Sequence, residues 1–413
     1  MGISALTTLK ALIVAQSRRV TVLSTAVIGS LVLAACSNPG DGTDASPVAE
    51  FSEVSSAAAT TSEAPAVAPS VSVKNGSKNV ALDTRVKVES EGEGLASVTM
   101  TNQDGKRIKS KMSADSMSWT SDEDLGFNRT YTVTAKDVNG KTSTTMFSTP
   151  SPTYTSSVAM SPLPDSTVGV GQTIALRFEG AVTNRRAVQD AITIETTPHV
   201  EGAFYWISNQ EVRWRPENKW EPGTQVSVKA DLYGLDLGNG MYATEDNSTN
   251  FTIGDRVVAI VDNNTKQMQV FKNRELLRTI PVSLGLETPD RVTPNGWYIV
   301  GDKYPELMMD STTYGLALDA GGYRTMVDWA TQLSYSGIYV HSAPWSVWAQ
   351  GNTNTSHGCI NVSPEAAQWF QNTVKRGDLV YVKNTPGGML PVTDGEGDWN
   401  MSWEEWSAGN ADV

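Results

Sequence analysis

Residues 119–135 read W-T-S-D-E-D-L-G-F-N-R-T-Y-T-V-T-A, and residues 214–230 read W-R-P-E-N-K-W-E-P-G-T-Q-V-S-V-K-A. Each stretch opens on a tryptophan, crosses a polar turn and closes on an alternating run that ends in alanine, and the two align without a gap. Tyr131 and Val133 fall on Val226 and Val228, so the period-two alternation of a strand keeps the same face apolar in both copies. The repeat predicts two related β domains. Short alternating segments surround the first copy: S-V-S-V-K from Ser70, V-K-V-E-S from Val86 and S-V-T-M-T-N from Ser97. Between them stand Asn75-Gly76, Asp104-Gly105 and Asn139-Gly140, pairs that accept the positive φ of tight hairpins. This rhythm predicts two immunoglobulin-like β-sandwiches, residues 71–150 and 151–254. Trp119 and Trp214 are expected in their cores, with sugar stacking as the alternative use of the indoles.

From Arg256 the strands lengthen, with turns expected at Asp262 to Lys266 and at Lys272 to Arg274. Further strands begin at Gly296 (G-W-Y-I-V-G) and end at His341 (G-I-Y-V-H). One helix is signalled: Ser363 as N-cap, Pro364 at the first helical position, Glu365 at the positive end and Gly377 as the stop. Ala366, Trp369, Phe370, Thr373 and Val374 recur at helical spacing as its inner face. Residues 255–385 therefore read as a third, β-rich domain with one helix, the one that holds the catalytic candidates taken up below. Residues 386–413 hold Trp399, Trp403 and Trp406, too many indoles to leave exposed, and are expected to fold back onto the preceding domain as a short subdomain. The fold class is mostly β and multidomain.

At the other end, Arg18-Arg19 precede an uncharged run from Val20 to Ala35, shorter than the roughly 18 to 20 apolar residues of a spanning helix. Residues 1–35 read as a secretory signal. Leu33-Ala34-Ala35-Cys36 resembles a bacterial lipobox, which implies lipidation of Cys36 and anchoring on the outer face of the cytoplasmic membrane; ordinary cleavage after Ala35 is the alternative. Residues 36–70, rich in Ala, Ser, Thr and Pro, read as a disordered tether. The chain carries a net charge of −13, and −16 without Lys10, Arg18 and Arg19, which argues against nucleic acid as a partner.

With Cys36 committed to lipid, Cys359 is the remaining cysteine of two, and no internal disulfide can form. A thiol at its ordinary value is mostly protonated at neutral pH and needs a base to act as a nucleophile. Two of the three histidines, His341 and His357, flank it. His341 ends a strand, and the loop to Cys359 can return the chain beside it, so His341 is the expected base. His357, two residues from the cysteine, is expected to shape the site. Gly358 permits a close turn that could aim its own amide and that of Cys359 at a developing oxyanion. A metal site lacks a second cysteine and a carboxylate cluster, so neither metal nor cofactor is expected. A buried structural thiol is the remaining alternative.

The stretch H-S-A-P-W-S-V-W-A-Q-G-N-T-N-T-S-H-G-C-I-N, His341 to Asn361, resembles the signature of the YkuD-type L,D-transpeptidases: a histidine, a spacer, then [S/T]-H-G-C-x-N. The layout is similar to actinobacterial members with tandem immunoglobulin-like domains. The resemblance implies a peptidoglycan cross-linker. Its cysteine would attack the third residue of a tetrapeptide donor stem, expel D-alanine and pass the acyl group to an amine of an acceptor stem, giving a 3→3 link. By position, Cys359 would be the nucleophile, His341 the base and Ser342 the residue whose carbonyl orients the imidazole. The amides of His357, Gly358 and Cys359 would form the oxyanion hole, and Asn361 would hold the donor. Residues 302–328 resemble the family's lid, with Met309, Tyr323 and Trp345 lining the channel. The resemblance also implies acylation by carbapenem β-lactams. Asn352 departs from the pattern, where a histidine is expected. Two other readings stay open: an L,D-carboxypeptidase with water as acceptor, and a non-catalytic wall-binding or spacer protein.

Overall fold

The computed structural model describes residues 67–395 and 397–412; Cys36, the leader and nearly all of the tether lie outside the described residues. The first sandwich packs the sheet Ser70–Val71, Lys87–Glu89, Ser118–Ser121, Ser110–Met112 against the sheet Leu95–Asn102, Thr130–Asp137, Thr142–Ser148. Trp119, Tyr131, Val133 and Phe147 lie in its core. The second packs Ser166–Val168, Asn247–Ile253, Gln225–Ala230, Ile192–Thr197 against Gly202–Ser208, Glu211–Pro216, Ile174–Phe178, Val158–Ser161. Trp214, Val226 and Val228 are buried there, at the places of their repeat partners. Both tryptophans are core residues, and neither is available to stack on a sugar.

The catalytic domain has two sheets. One orders Glu275–Pro281, Gln267–Lys272, Val257–Asp262, Leu379–Lys383, Gly296–Ile299; the other orders Lys303–Asp310, Arg324–Gln332, Tyr339–Ser342, Ile360–Val362. The hairpin Gln267–Lys272 and Glu275–Pro281 turns through Asn273 and Arg274, both at positive φ (51° and 75°), as a two-residue turn between right-twisting strands requires. The helix spans Pro364–Thr373, with the Ser363 hydroxyl accepting the Ala366 N–H at 3.2 Å. It stops before Gly377, because Val374 turns extended and the chain folds back so that Lys375 N–H and Nζ both reach the Asp378 carboxylate, at 2.8 and 2.9 Å. Its buried face is Ala366, Ala367, Phe370 and Gln371; the expected Trp369 and Thr373 are half-buried, the former beneath the Arg278 guanidinium.

The C-terminal segment differs from expectation in its partner. Its helix, Trp403–Ala408, lies on the second sandwich: Trp406 Nε1 donates to the Ala203 carbonyl at 2.9 Å, and Asn410 Nδ2 to that of Trp206 at 2.9 Å. The Arg215 guanidinium lies over the rings of Trp399, Trp403 and Trp406, which explains why three indoles gather there. Asn400 ties the same segment to the catalytic domain, accepting the Trp297 N–H at 2.7 Å.

Candidate active site

The strands Tyr339–Ser342 and Ile360–Val362 run parallel, with His341 opposite Asn361. Side chains alternate along a strand, so His341 and Asn361 share a face, and Cys359, two residues before Asn361, enters on that side. The loop between them is the crossover that returns the chain. These three residues line a cavity of about 180 Å³ together with Thr355, Ser356 and His357. The long hairpin Lys303–Asp310 and Arg324–Gln332 covers it, contributing Met309, Thr325 and Val327, while Tyr323 comes from the hairpin's tip and Trp345 from the crossover. A larger cleft of about 480 Å³ at the seam with the second sandwich, lined by Arg177, Arg376 and Asp302 among others, has no cysteine or histidine in its walls.

Cys359 is 5% exposed, and burial pushes its thiol up to about 11, against a backbone hydrogen bond from Tyr339. The sulfur donates to the Gly337 carbonyl at 3.4 Å. His341 is 3% exposed, and burial pushes its imidazole down to about 4. Its Nδ1 lies 2.8 Å from the Ser342 carbonyl, which can only accept, so Nδ1 carries the proton and Nε2 presents a lone pair. Both partners therefore rest neutral at pH 7. This is not a preformed thiolate and imidazolium; the proton must pass to Nε2 as the sulfur attacks.

Two hydroxyls hold the nucleophile loop. Ser356 Oγ accepts the Gly358 N–H at 3.1 Å and donates to the Cys359 carbonyl at 2.6 Å. Thr293 Oγ1 accepts the Gly285 N–H at 2.9 Å and donates to the Gly358 carbonyl at 2.8 Å. Gly358 has φ +127°, which side chains rarely adopt. The expectation of three successive oxyanion amides needs correction, because the Gly358 N–H is already engaged by Ser356. His357 turns toward the lid: its Nε2 lies 3.2 Å from the Gly321 carbonyl and its ring 4.8 Å from that of Tyr323. Burial and the nearby Arg291 charge hold its imidazole below the ordinary value.

Residues 256–382 match the L,D-transpeptidase catalytic domain, YkuD, and residues 77–236 match a bacterial Ig domain. L,D-transpeptidase 2 of Mycobacterium tuberculosis strain CDC 1551 is 50% identical over 344 residues, 82% of this chain and 84% of that protein. The chain belongs to the L,D-transpeptidase family. L,D-transpeptidase 5 of Mycobacterium tuberculosis strain H37Rv is 32% identical, over 75% of this chain and 69% of that protein. The solved structure of the L,D-transpeptidase LdtMt1 in complex with imipenem is 38% identical, covering 57% of this chain and 100% of that one, with a TM-score of 0.48.

Within this transpeptidase fold Asn361 Nδ2 donates to Ser346 Oγ at 3.1 Å, while its Oδ1 is buried without a hydrogen-bond partner, an acceptor suited to a substrate N–H. Trp345 is half exposed, its ring 6.1 Å from that of His341. Asn352, the departure from the family pattern, is exposed on the crossover loop. Sequence reading missed Thr293 and the part of Ser356 in the loop. Thr293 sits in an ordinary turn sequence, T-P-N-G, far from the motif, and carries no signal that could have found it.

Proposed function

We propose that the protein forms 3→3 cross-links in peptidoglycan through an acyl-enzyme on Cys359. The observation that carries this is His341, buried and held by Ser342 with its Nε2 lone pair on the face where Cys359 enters a lidded cavity. His341 Nε2 takes the thiol proton as the C–S bond forms at the carbonyl of the third stem residue. The C–N bond to D-alanine then breaks, and the imidazolium returns the proton to the leaving amine. An amine of a second stem next attacks the thioester, restoring the thiol. Asn361 Oδ1 serves as an acceptor for the donor stem, and Met309, Tyr323 and Trp345 form its channel. Carbapenems acylate the same sulfur. The leader, the lipobox and the tether support a lipid-anchored protein, bound through Cys36 to the outer face of the cytoplasmic membrane and working in the wall.

A tetrapeptide donor should add the mass of the tripeptide acyl group to the wild-type chain and yield cross-linked dimer with an acceptor stem. Cys359→Ala should give neither. Cross-linking that survives in Cys359→Ala overturns the assignment, and a wild type without any adduct favours a spacer role. Tripeptide as the sole product would make the enzyme an L,D-carboxypeptidase. The cover supplied by Met309, Tyr323 and His357 favours an amine acceptor, because it limits the water that competes for the thioester.

A further inference from the structure

We infer that Thr293 is a positioning residue that aims the Cys359 N–H at the oxyanion of the acyl-transfer step. In a trans peptide the C=O and N–H point in opposite directions. The Gly358 carbonyl and the Cys359 N–H belong to one peptide plane, and the Thr293 hydroxyl holds that carbonyl at 2.8 Å. The Cys359 N–H is thereby turned away from Thr293. Thr293 is fully buried, and its hydroxyl has one proton and two partners of fixed sense: Gly285 N–H can only donate to it, and the Gly358 carbonyl can only accept from it. The hydroxyl hydrogen therefore has one place to go. The planes on either side are held as well, because Ser356 Oγ takes the Gly358 N–H of the preceding peptide and returns its own proton to the Cys359 carbonyl of the following one.

Gly358, at φ +127°, is the pivot between the first of these planes and the Gly358–Cys359 peptide, and a glycine there would swing without restraint from both sides. Thr293 and Ser356 are that restraint. With the Gly358 amide occupied, the amide of Cys359, on the same residue as the attacking sulfur, is left to meet the oxyanion, and its direction decides whether it does. Thr293 touches no substrate and acts only through this peptide.

The inference rests on the acyl-transfer chemistry of Cys359 and not on which stem is bound, and its test uses reagents that need no stem. With p-nitrophenyl acetate the sulfur adds to a carbonyl, the π pair moves onto oxygen, and p-nitrophenolate leaves as the thioester forms. With iodoacetamide the sulfur displaces iodide from a saturated carbon, and no oxyanion arises. Thr293→Val should slow acetylation of Cys359 by about 10- to 100-fold, the scale on which a misplaced oxyanion donor costs rate, and change alkylation by less than about twofold. Thr293→Ser keeps the hydroxyl and should restore acetylation to within about threefold of wild type. If Thr293→Val is insoluble, Thr293→Ala carries the same comparison against Thr293→Ser. Equal losses in acetylation and alkylation, unchanged acetylation in Thr293→Val, or a serine variant as slow as the valine variant would each overturn the inference. A wild type that acetylates normally yet forms no stem adduct would instead count against the proposed substrate and leave this test intact.

Discussion

The core of the first sandwich is completed by its own residues, Trp119, Tyr131 and Phe147 among them, whereas that of the second runs on through Val258, Ile299, Leu379 and Trp399 of the segments that follow it. The same repeat thus ends in two different energetic arrangements. Contact between the sandwiches is made by side chains: Tyr233 packs on the core of the first and its Oη donates to the Leu125 carbonyl at 3.1 Å, Phe127 packs edge-on with Tyr233 and Tyr242, and a Cβ on Gly234 would stand 2.7 Å from that of Leu82. The seam between the second sandwich and the catalytic domain is built from backbone. Gly169 and Gly171 donate to the Arg376 and Gly377 carbonyls, each at 2.8 Å, and a Cβ on Gly169 would stand 2.1 Å from the Asp378 nitrogen. The first sandwich keeps a core of its own, and the second is part of the catalytic body.

Deletion should separate the two most sharply. A chain of residues 150–413 is expected to fold and to acylate Cys359 within about twofold of the longer protein, since no core residue of the body is lost. Removing residues 151–254 instead exposes Val258, Ile299 and Leu379, and by calorimetry should leave the transition of the first sandwich but no cooperative transition of the catalytic domain. Loss of folding in the first case, or a folded and active product in the second, would reverse the comparison. Next in size are changes at the repeat tryptophans. Trp119→Ala and Trp214→Ala should each cost about 3–5 kcal/mol, the usual loss for a buried indole. The first should lower only the transition of the first sandwich and spare acylation, while the second should lower that of the body. Arg213→Ala should act on the body to a similar extent. Its guanidinium lies 2.7 Å from both Glu211 and the fully buried Asp398; Glu211 keeps its pair with Arg177 at 2.6 Å, but losing Arg213 strands the Asp398 carboxylate at a cost of about 3–5 kcal/mol.

The repeat, its tight turns and the linear motif from His341 to Asn361 were legible because each is written in consecutive residues. The fused core was not. V-V-A-I-V from Val257 is buried on both sides, with Val257, Ala259 and Val261 facing one cluster and Val258 and Ile260 the other. A strand covered on both faces shows no alternation, so nothing in its sequence says that one cover is another domain. The catalytic pair was legible by residue type but not by state. Cys359 and His341 rest neutral because the lid and sheet bury them, a consequence of tertiary packing. The oxyanion assignment drifted for a related reason: the hydroxyls of Ser356 and Thr293 decide where the amides point, and only the folded loop brings them there.

The smallest expected effect, and the finest test of the comparison, is in the pH dependence of the body. His341 and Asp378 both lie there and act in opposite senses. Burial lowers His341 from 6.5 to about 4, so between those values the unfolded chain holds the extra proton and stability rises with pH. Burial raises Asp378 from 3.8 to about 6 in spite of Lys375, so over nearly the same window the folded chain holds the extra proton and stability falls with pH. Each shift corresponds to roughly 3 kcal/mol, and the two largely offset in the wild type. Asp378→Asn removes the falling contribution. Urea unfolding of the body should then gain about 3 kcal/mol between pH 4 and pH 6.5 relative to the wild-type profile. The first sandwich holds neither group, and its transition should be the same in variant and wild type at every pH. An identical pH profile of the body in Asp378→Asn and wild type would mean that the Asp378 carboxyl is not held protonated at the seam, and a shift of the first sandwich's transition would mean that the two sandwiches are coupled after all.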